Sequence, residues 1–278
     1  MKFHNSSTAV LNTEKGIPFL TFPGLSSIDF ITHGFSTRLG GVSNGCLGTM
    51  NLGYANGDNT HNVDENYKRI CNSLGLSRDD LVLSDQVHNT DIKVVTGEDK
   101  GKGIRKERDY SGIDGLITNV KGIPLVTFYA DCVPLYLIDI KRKAIGLSHS
   151  GWRGTVNRMG KVTLLEMNQN YGTKPEDVVV LIGPSICQDC YEVSEDVVHA
   201  FRDEFNSTQL PAILTENGNN KYQLNLWEAN RQIFLDAGVT DENIHISSVC
   251  TSCNSDLLFS HRASQGRRGT LAAFLMLK

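Results

Sequence analysis

The chain has 278 residues, with 27 lysines and arginines against 31 aspartates and glutamates, a formal net charge of −4 with histidine neutral. That balance lacks the basic excess with which nucleic-acid proteins neutralise phosphate, so a generic polyanion binder is excluded. Hydrophobic residues at 40% and charged residues at 21% describe a globular protein with a substantial core and not a disordered chain.

The opening residues, MKFHNSSTAVLNTEKG, contain no apolar h-region, and no apolar run approaches the roughly 18 residues of a membrane span. A soluble, cytoplasmic protein is expected. The cysteines number seven, odd and scattered, which is not a disulfide framework and leaves thiols to be buried, reactive or metal-bound.

In chain order, the first clear element is a strand over 31–37, followed by the glycine-rich stretch TRLGGVSNGCLGTMNLG at 37–53. That stretch matches neither G-x-G-x-x-G nor G-x-x-x-x-G-K. Its attractive residue is Arg38, whose guanidinium fork suits phosphate, although a bare arginine beside a loop is ordinarily structural. Val63, Tyr67, Ile70 and Leu74 recur at helical spacing, and Gly75 follows as a stop. Strands are expected over 81–87 and 92–95, with His88 directly after the first. The segment from Lys100 to Asp109, KGKGIRKERD, reads as an exposed charged loop, with a substrate lid as the alternative. Further strands are expected over 116–118, 125–130, 133–139, 144–148, 178–182, 244–249 and 271–277. Helices are expected over about 155–170, from Val197 to Phe205 after Ser194, and over 226–237 between Asn225 and Gly238. So many strands with so few helices argue against a regular βαβ repeat and for mixed sheets with outer helices in one domain.

The chemistry concentrates in ADCVPLYLIDIKRKAIGLSHSGWRG, from Ala130 to Gly154. Lys141-Arg142-Lys143 is a polar turn between two apolar runs, so the segment reads as a hairpin. With Ile140 opposite Lys143, Cys132 falls opposite Gly151, and a slip of one or two residues sets it against His149. A thiol and an imidazole thus reach one end of one hairpin. They can be a packing contact, a Cys-His dyad or two metal ligands. His88, at another strand end, would complete a three-ligand zinc site with an open fourth position, though a lone strand-end histidine is more often structural. The turn Ser150-Gly151-Trp152-Arg153-Gly154 enters a helix and can present N–H groups to an anion, or simply allow a tight turn.

Cys187-x-x-Cys190 and Cys250-x-x-Cys253 are two knuckles, but they lie 60 residues apart where paired zinc knuckles are usually about 15 to 20 apart. Buried free thiols are the ordinary reading, with a four-cysteine zinc or a redox pair as alternatives.

Several segments together carry a family likeness. His33-Gly34-Phe35-Ser36-Thr37-Arg38 with Gly40-Gly41-Val42-Ser43, Asn51-Leu52-Gly53, Asp85-Gln86-Val87-His88, Asp114-Gly115-Leu116, Ala130-Asp131-Cys132, His149 to Gly154 and Phe259-Ser260-His261-Arg262 resemble the YfiH family. These are the laccase-domain or "polyphenol oxidase" proteins described as purine nucleoside phosphorylases, and the likeness runs from about Thr32 to Leu277. It implies an α+β fold, an α/β/β/α sandwich with mixed sheets, as one domain over 1–278 with 1–27 as an N-terminal extension. It places zinc ligands on His88, Cys132 and His149. It also implies phosphorolysis of adenosine, inosine and S-methyl-5'-thioadenosine, and deamination of adenosine. Ala263 and Cys187-Gln188-Asp189 depart from the family pattern, which bears on substrate preference more than on the metal.

The laccase label fails on the residues, because a multicopper oxidase needs His-x-His pairs and this chain has none. Copper could still occupy the same single site, since it binds such donors more tightly than zinc. For a nucleoside enzyme, Asp131 is the nearest carboxylate for proton transfer, Arg38 and Arg153 are candidates to hold phosphate, and Asn51 a candidate for ribose. Purine nucleosides and phosphate are the expected partners, without nucleic acid or membrane. Two competing readings are a cysteine hydrolase with Cys132 as nucleophile and His149 as base, acting on an amide such as a cell-wall precursor, and a non-enzymatic module with structural zinc on the four knuckle cysteines.

Overall fold

The computed structural model describes residues 2–13, 16–218 and 221–278. Two six-stranded sheets form its centre. The first contains β1 (Val10–Asn12), β2 (Phe19–Thr21), β3 (Ile31–Ser36), β4 (Val82–Leu83), β7 (Leu125–Tyr129) and β15 (Leu271–Leu277), in the order β1-β2-β3-β15-β7-β4. The second contains β5 (Ile92–Val94), β6 (Gly115–Thr118), β8 (Val133–Asp139), β9 (Ala144–Ser150), β10 (Val178–Ile182) and β14 (Ile244–Ile246), in the order β14-β10-β8-β9-β6-β5. Each is mixed: β4 runs parallel to β7, β5 to β6 and β10 to β14, and the other neighbours are antiparallel. A small third sheet joins β11 (Glu192–Val193), β12 (Leu214–Glu216) and β13 (Tyr222–Leu224).

Side-chain alternation sets the layers. Along β15, Leu271, Ala273, Leu275 and Leu277 enter a core shared with Tyr136, Ile138, Ile145 and Leu147 of the second sheet, whereas Ala272 and Phe274 enter a different core. That other core holds Val63, Tyr67 and Ile70 of α2 (Thr60–Leu74). On the far side of β8, Val133, Leu135 and Leu137 meet Met159, Leu164, Phe201 and Phe234. These come from α4 (Met159–Tyr171), α5 (Glu195–Glu204) and α7 (Leu226–Asp236). Three cores therefore separate four layers, the expected α/β/β/α sandwich. Burying each large apolar side chain stabilises it by about 1.5–3 kcal/mol. Among the described residues the α-helices also include the short α1 (Pro23–Ser26), α3 (Trp152–Val156) and α6 (Leu210–Ile213).

Helix α2 ends as its sequence requires, with Gly75 at φ +70° in the left-handed cap and Asn59 Oδ1 accepting the His61 N–H at the other end. Other expectations need correction. The strand over 81–87 shrinks to two residues: Asp85 leaves the ladder for an isolated bridge to Ile113, and beyond it Asp114 accepts the N–H groups of Val87, His88 and Asn89. The helix over 155–170 is two helices, broken where Arg158 adopts φ +56°. The sequence gives no warning of β1 and β2, which lie within residues 1–27 and extend the first sheet from β3.

Candidate metal centre

The β8–β9 hairpin has the register expected from its turn. Asp139 pairs with Ala144, Pro134 with His149 and Val133 with Ser150, so Cys132 continues opposite Gly151. The turn itself is longer than two residues, because Asp139 Oδ1 accepts the N–H groups of Lys141 and Arg142 at 2.9 Å each and ends the ladder early. Gly151 faces the thiol directly: a Cβ there would lie 3.0 Å from Cys132 Sγ and 3.2 Å from His88 Cδ2. His88 arrives from the first sheet, in the segment that leaves β4, at φ +64°. The sulfur and one nitrogen of each imidazole all lie within 4.8 Å of one another.

Asp114 organises this cluster. Its Oδ1 is 2.8 Å from His149 Nδ1, which directs His149 Nε2 toward the cluster. Burial opposes ionisation of Asp114, yet the hydrogen bonds from His149 and from the backbone prevail and hold it below the usual carboxylate range. Burial likewise opposes charge on Cys132 and on His149, but each supplies the other's counter-charge. The thiol is pulled down to about 6 by His149 and His88, and His149 is pushed up to about 9 by Cys132 and Asp114. Both shifts run toward a thiolate on Cys132 and an imidazolium on His149. Thiolate sulfur with two imidazoles is a donor set suited to zinc, with a fourth position left for solvent or substrate.

The cluster sits in the wall of a cavity of about 320 Å³. Phe128 and Tyr129 of β7 give it a flat apolar side, and Tyr54, Asn56 and Thr270 give it a polar rim. Arg268 also lines it, and its buried Nε has no hydrogen-bond partner among the described residues. The charged loop expected at 100–109 is ordered by Lys102, which bridges Asp99 and Asp109 at 2.7 and 2.8 Å, and it contributes Gly103 and Arg108 to the cavity.

Four sequence candidates are not part of the cavity lining, for physical reasons. Asp131 is turned by its φ of +91°, and its oxygens accept from Thr251 Oγ1 at 2.6 Å and the Arg262 N–H at 2.7 Å. The Arg38 guanidinium donates to the carbonyls of Gly48 and Ser255 and lies 4.8 Å from the Phe259 ring centre. Asn51 is buried and holds Gly53, Asp58 and Thr270, so it positions rim residues without facing the cavity. Arg153 is exposed and stacks on Trp152 at 4.3 Å. Sequence reasoning missed Asp114 and Arg268. The available signal for the first was an acidic residue before Gly115 at a strand start, and for the second an Arg267-Arg268 pair leading into β15.

Fold and site together define a four-layer α+β protein with a His-Cys-His cluster on an open, partly cationic cavity. A family model described as multi-copper polyphenol oxidoreductase laccase matches residues 32–278, and the chain belongs to that family. It is 35% identical over 249 residues to the purine nucleoside phosphorylase YlmD of Bacillus subtilis, covering 89% of each chain. It is 33% identical to the adenosine deaminase RL5 of an unknown prokaryotic organism, covering 86% of this chain and 93% of that one. The crystal structure of the Bacillus licheniformis hypothetical protein YfiH superposes with a TM-score of 0.90 at 31% identity, covering 96% of this chain and 99% of that one. YlmD from Geobacillus stearothermophilus superposes with a TM-score of 0.88 at 34% identity, covering 94% and 96%. No helix among the described residues is long and apolar enough to cross a membrane.

Proposed function

We propose that this chain is a zinc-dependent purine nucleoside phosphorylase acting on adenosine, inosine and S-methyl-5'-thioadenosine, with adenosine deaminase activity at the same site. The observation that carries the reading is the convergence of His88, Cys132 and His149 on a cavity that also presents a half-buried arginine whose Nε is unpaired among the described residues. Zinc on those ligands supplies Lewis acidity and lowers the pKa of water. The chain's own residues do the rest. A cavity of about 320 Å³ suits a small ligand, and Phe128 offers an apolar face to a purine. The polar rim of Asn56 and Thr270 receives the ribose, and Arg268 takes the phosphate role that the sequence assigned to Arg38 and Arg153.

A second reading rests on one observation: the Cys132–His149–Asp114 series has the order of a nucleophile, its base and an orienting carboxylate. A cysteine hydrolase would use it without metal.

The experiment is metal analysis of the purified protein and of its His88→Ala, Cys132→Ala and His149→Ala variants, with a phosphate-dependent inosine assay. Loss of one zinc equivalent per chain and of turnover in all three variants is the expected result. Inosine turnover that does not require phosphate overturns the phosphorylase, copper in place of zinc overturns the metal assignment, and unaltered zinc in all three variants overturns the site.

A further inference from the structure

Far from each other in sequence, the two Cys-x-x-Cys knuckles meet in space. Strands β10 and β14 are parallel neighbours, so the loops leaving their C-terminal ends emerge side by side, and Ser185 bridges to Cys250. The sulfurs of Cys187, Cys190, Cys250 and Cys253 all lie within 4.8 Å of one another, and all four are free thiols. Cys253 Sγ is 3.5 Å from Cys190 Sγ and 3.9 Å from Cys187 Sγ. Four sulfurs placed about 2.3 Å from a central zinc define a tetrahedron with edges of about 3.8 Å. The backbone is arranged for thiolate charge as well: the N–H groups of Cys187 and Cys253 both point at Cys250 Sγ, at 3.3 Å each. Four clustered protonated thiols would gain little from such donors, whereas a metal-bound thiolate is stabilised by them.

We propose that these four cysteines form a tetrathiolate zinc site, distinct from the His88–Cys132–His149 cluster and structural in role. Its location says what it secures. Thr251, next to Cys250, donates to the Asp131 carboxylate, and Ile186, next to Cys187, donates its N–H to the Asp131 carbonyl at 3.0 Å. Both knuckles therefore grip the turn that ends in Cys132. The ion clamps two loops that have no ladder between them beyond that single bridge and fixes the backbone from which the hairpin's thiol projects.

The test uses the full-length protein, purified under reducing conditions, and its His88→Ala/Cys132→Ala double variant, which removes the other ligand cluster. The double variant is expected to retain one zinc equivalent, released when a mercurial titrates the cysteines. After cobalt exchange it should show sulfur-to-cobalt charge transfer and the intense visible bands of a tetrahedral tetrathiolate. Cys250→Ser/Cys253→Ser should lower zinc by one equivalent relative to the unaltered chain. A double variant free of zinc, one carrying iron instead, or a folded Cys250→Ser/Cys253→Ser protein with undiminished zinc overturns the proposal. If the unaltered chain and the double variant both carry the same single equivalent, the tetrathiolate stands and the catalytic-metal reading falls.

Discussion

Asp114 Oδ1 lies 2.8 Å from His149 Nδ1, and the same carboxylate accepts the backbone N–H of His88 at 3.0 Å, so one side chain orients one imidazole and anchors the backbone that carries the other. Removing a group that orients a metal ligand ordinarily weakens affinity about 10–100-fold. Asp114→Ala is expected to fall in or beyond that range, because it also releases the loop that carries His88. Competition with a chromophoric chelator measures the affinity, and an unchanged zinc Kd contradicts the role.

Gly151 matters for what it lacks. A methyl group there would lie 3.0 Å from Cys132 Sγ, closer than ordinary contact, and overpacking of this kind costs about 1–3 kcal/mol. Because the obstructed atoms are ligands, Gly151→Ala should lower bound zinc per chain more than it lowers the melting temperature. Full zinc content in that variant would show that the hairpin end relaxes freely.

The two arginines should separate in their effects. Arg268→Ala removes a charged donor from the cavity, worth about 1.5–3 kcal/mol, and should raise the KM for phosphate by roughly ten- to a hundredfold with little change in thermal stability. Arg38→Ala leaves the carbonyls of Gly48 and Ser255 without their donor and should cost about 1–3 kcal/mol in denaturant titration. The reverse pattern would restore Arg38 as the phosphate residue.

His33 gives the fold a pH dependence of its own. It is buried and accepts the Phe22 N–H at Nε2, a role that needs the neutral ring, and burial followed by the nearby Lys278 charge lowers its pKa to about 4. Between pH 6.5 and 4 the unfolded chain binds a proton that the folded chain refuses, so stability falls as pH drops through that window and levels off below it. The full effect is about 3 kcal/mol. His33→Gln, which keeps an acceptor but does not titrate, should flatten the stability profile over that range, while carboxylates such as Asp99, held down to about 2 despite its burial by Lys102 and the Thr96 N–H, govern the profile below about pH 4.

What the sequence made legible was local. The hairpin register followed from its polar turn and two apolar runs, and with it the meeting of Cys132 and His149. Helix α2 and its glycine stop followed from periodicity. What it hid depended on chain paths between distant segments. Asp131 adjoins Cys132, but a left-handed backbone turns its carboxylate toward Thr251 and Arg262. The knuckles looked too far apart because linear spacing takes no account of a parallel strand pair that returns the chain to the same edge. β1 and β2, at three residues each, are too short to show alternation.

His88 follows a strand of the first sheet, whereas Cys132 and His149 sit at the end of a hairpin in the second. A ligand gripped by all three side chains therefore recognises only chains whose two halves have already closed on each other. Its binding free energy adds to the cohesion between the halves by RT ln(1 + [L]/Kd), a gain available to the assembled state alone. Partial opening along that seam would leave a two-toothed remnant with far weaker hold, so cargo loss and loosening of the sandwich should occur as one cooperative event.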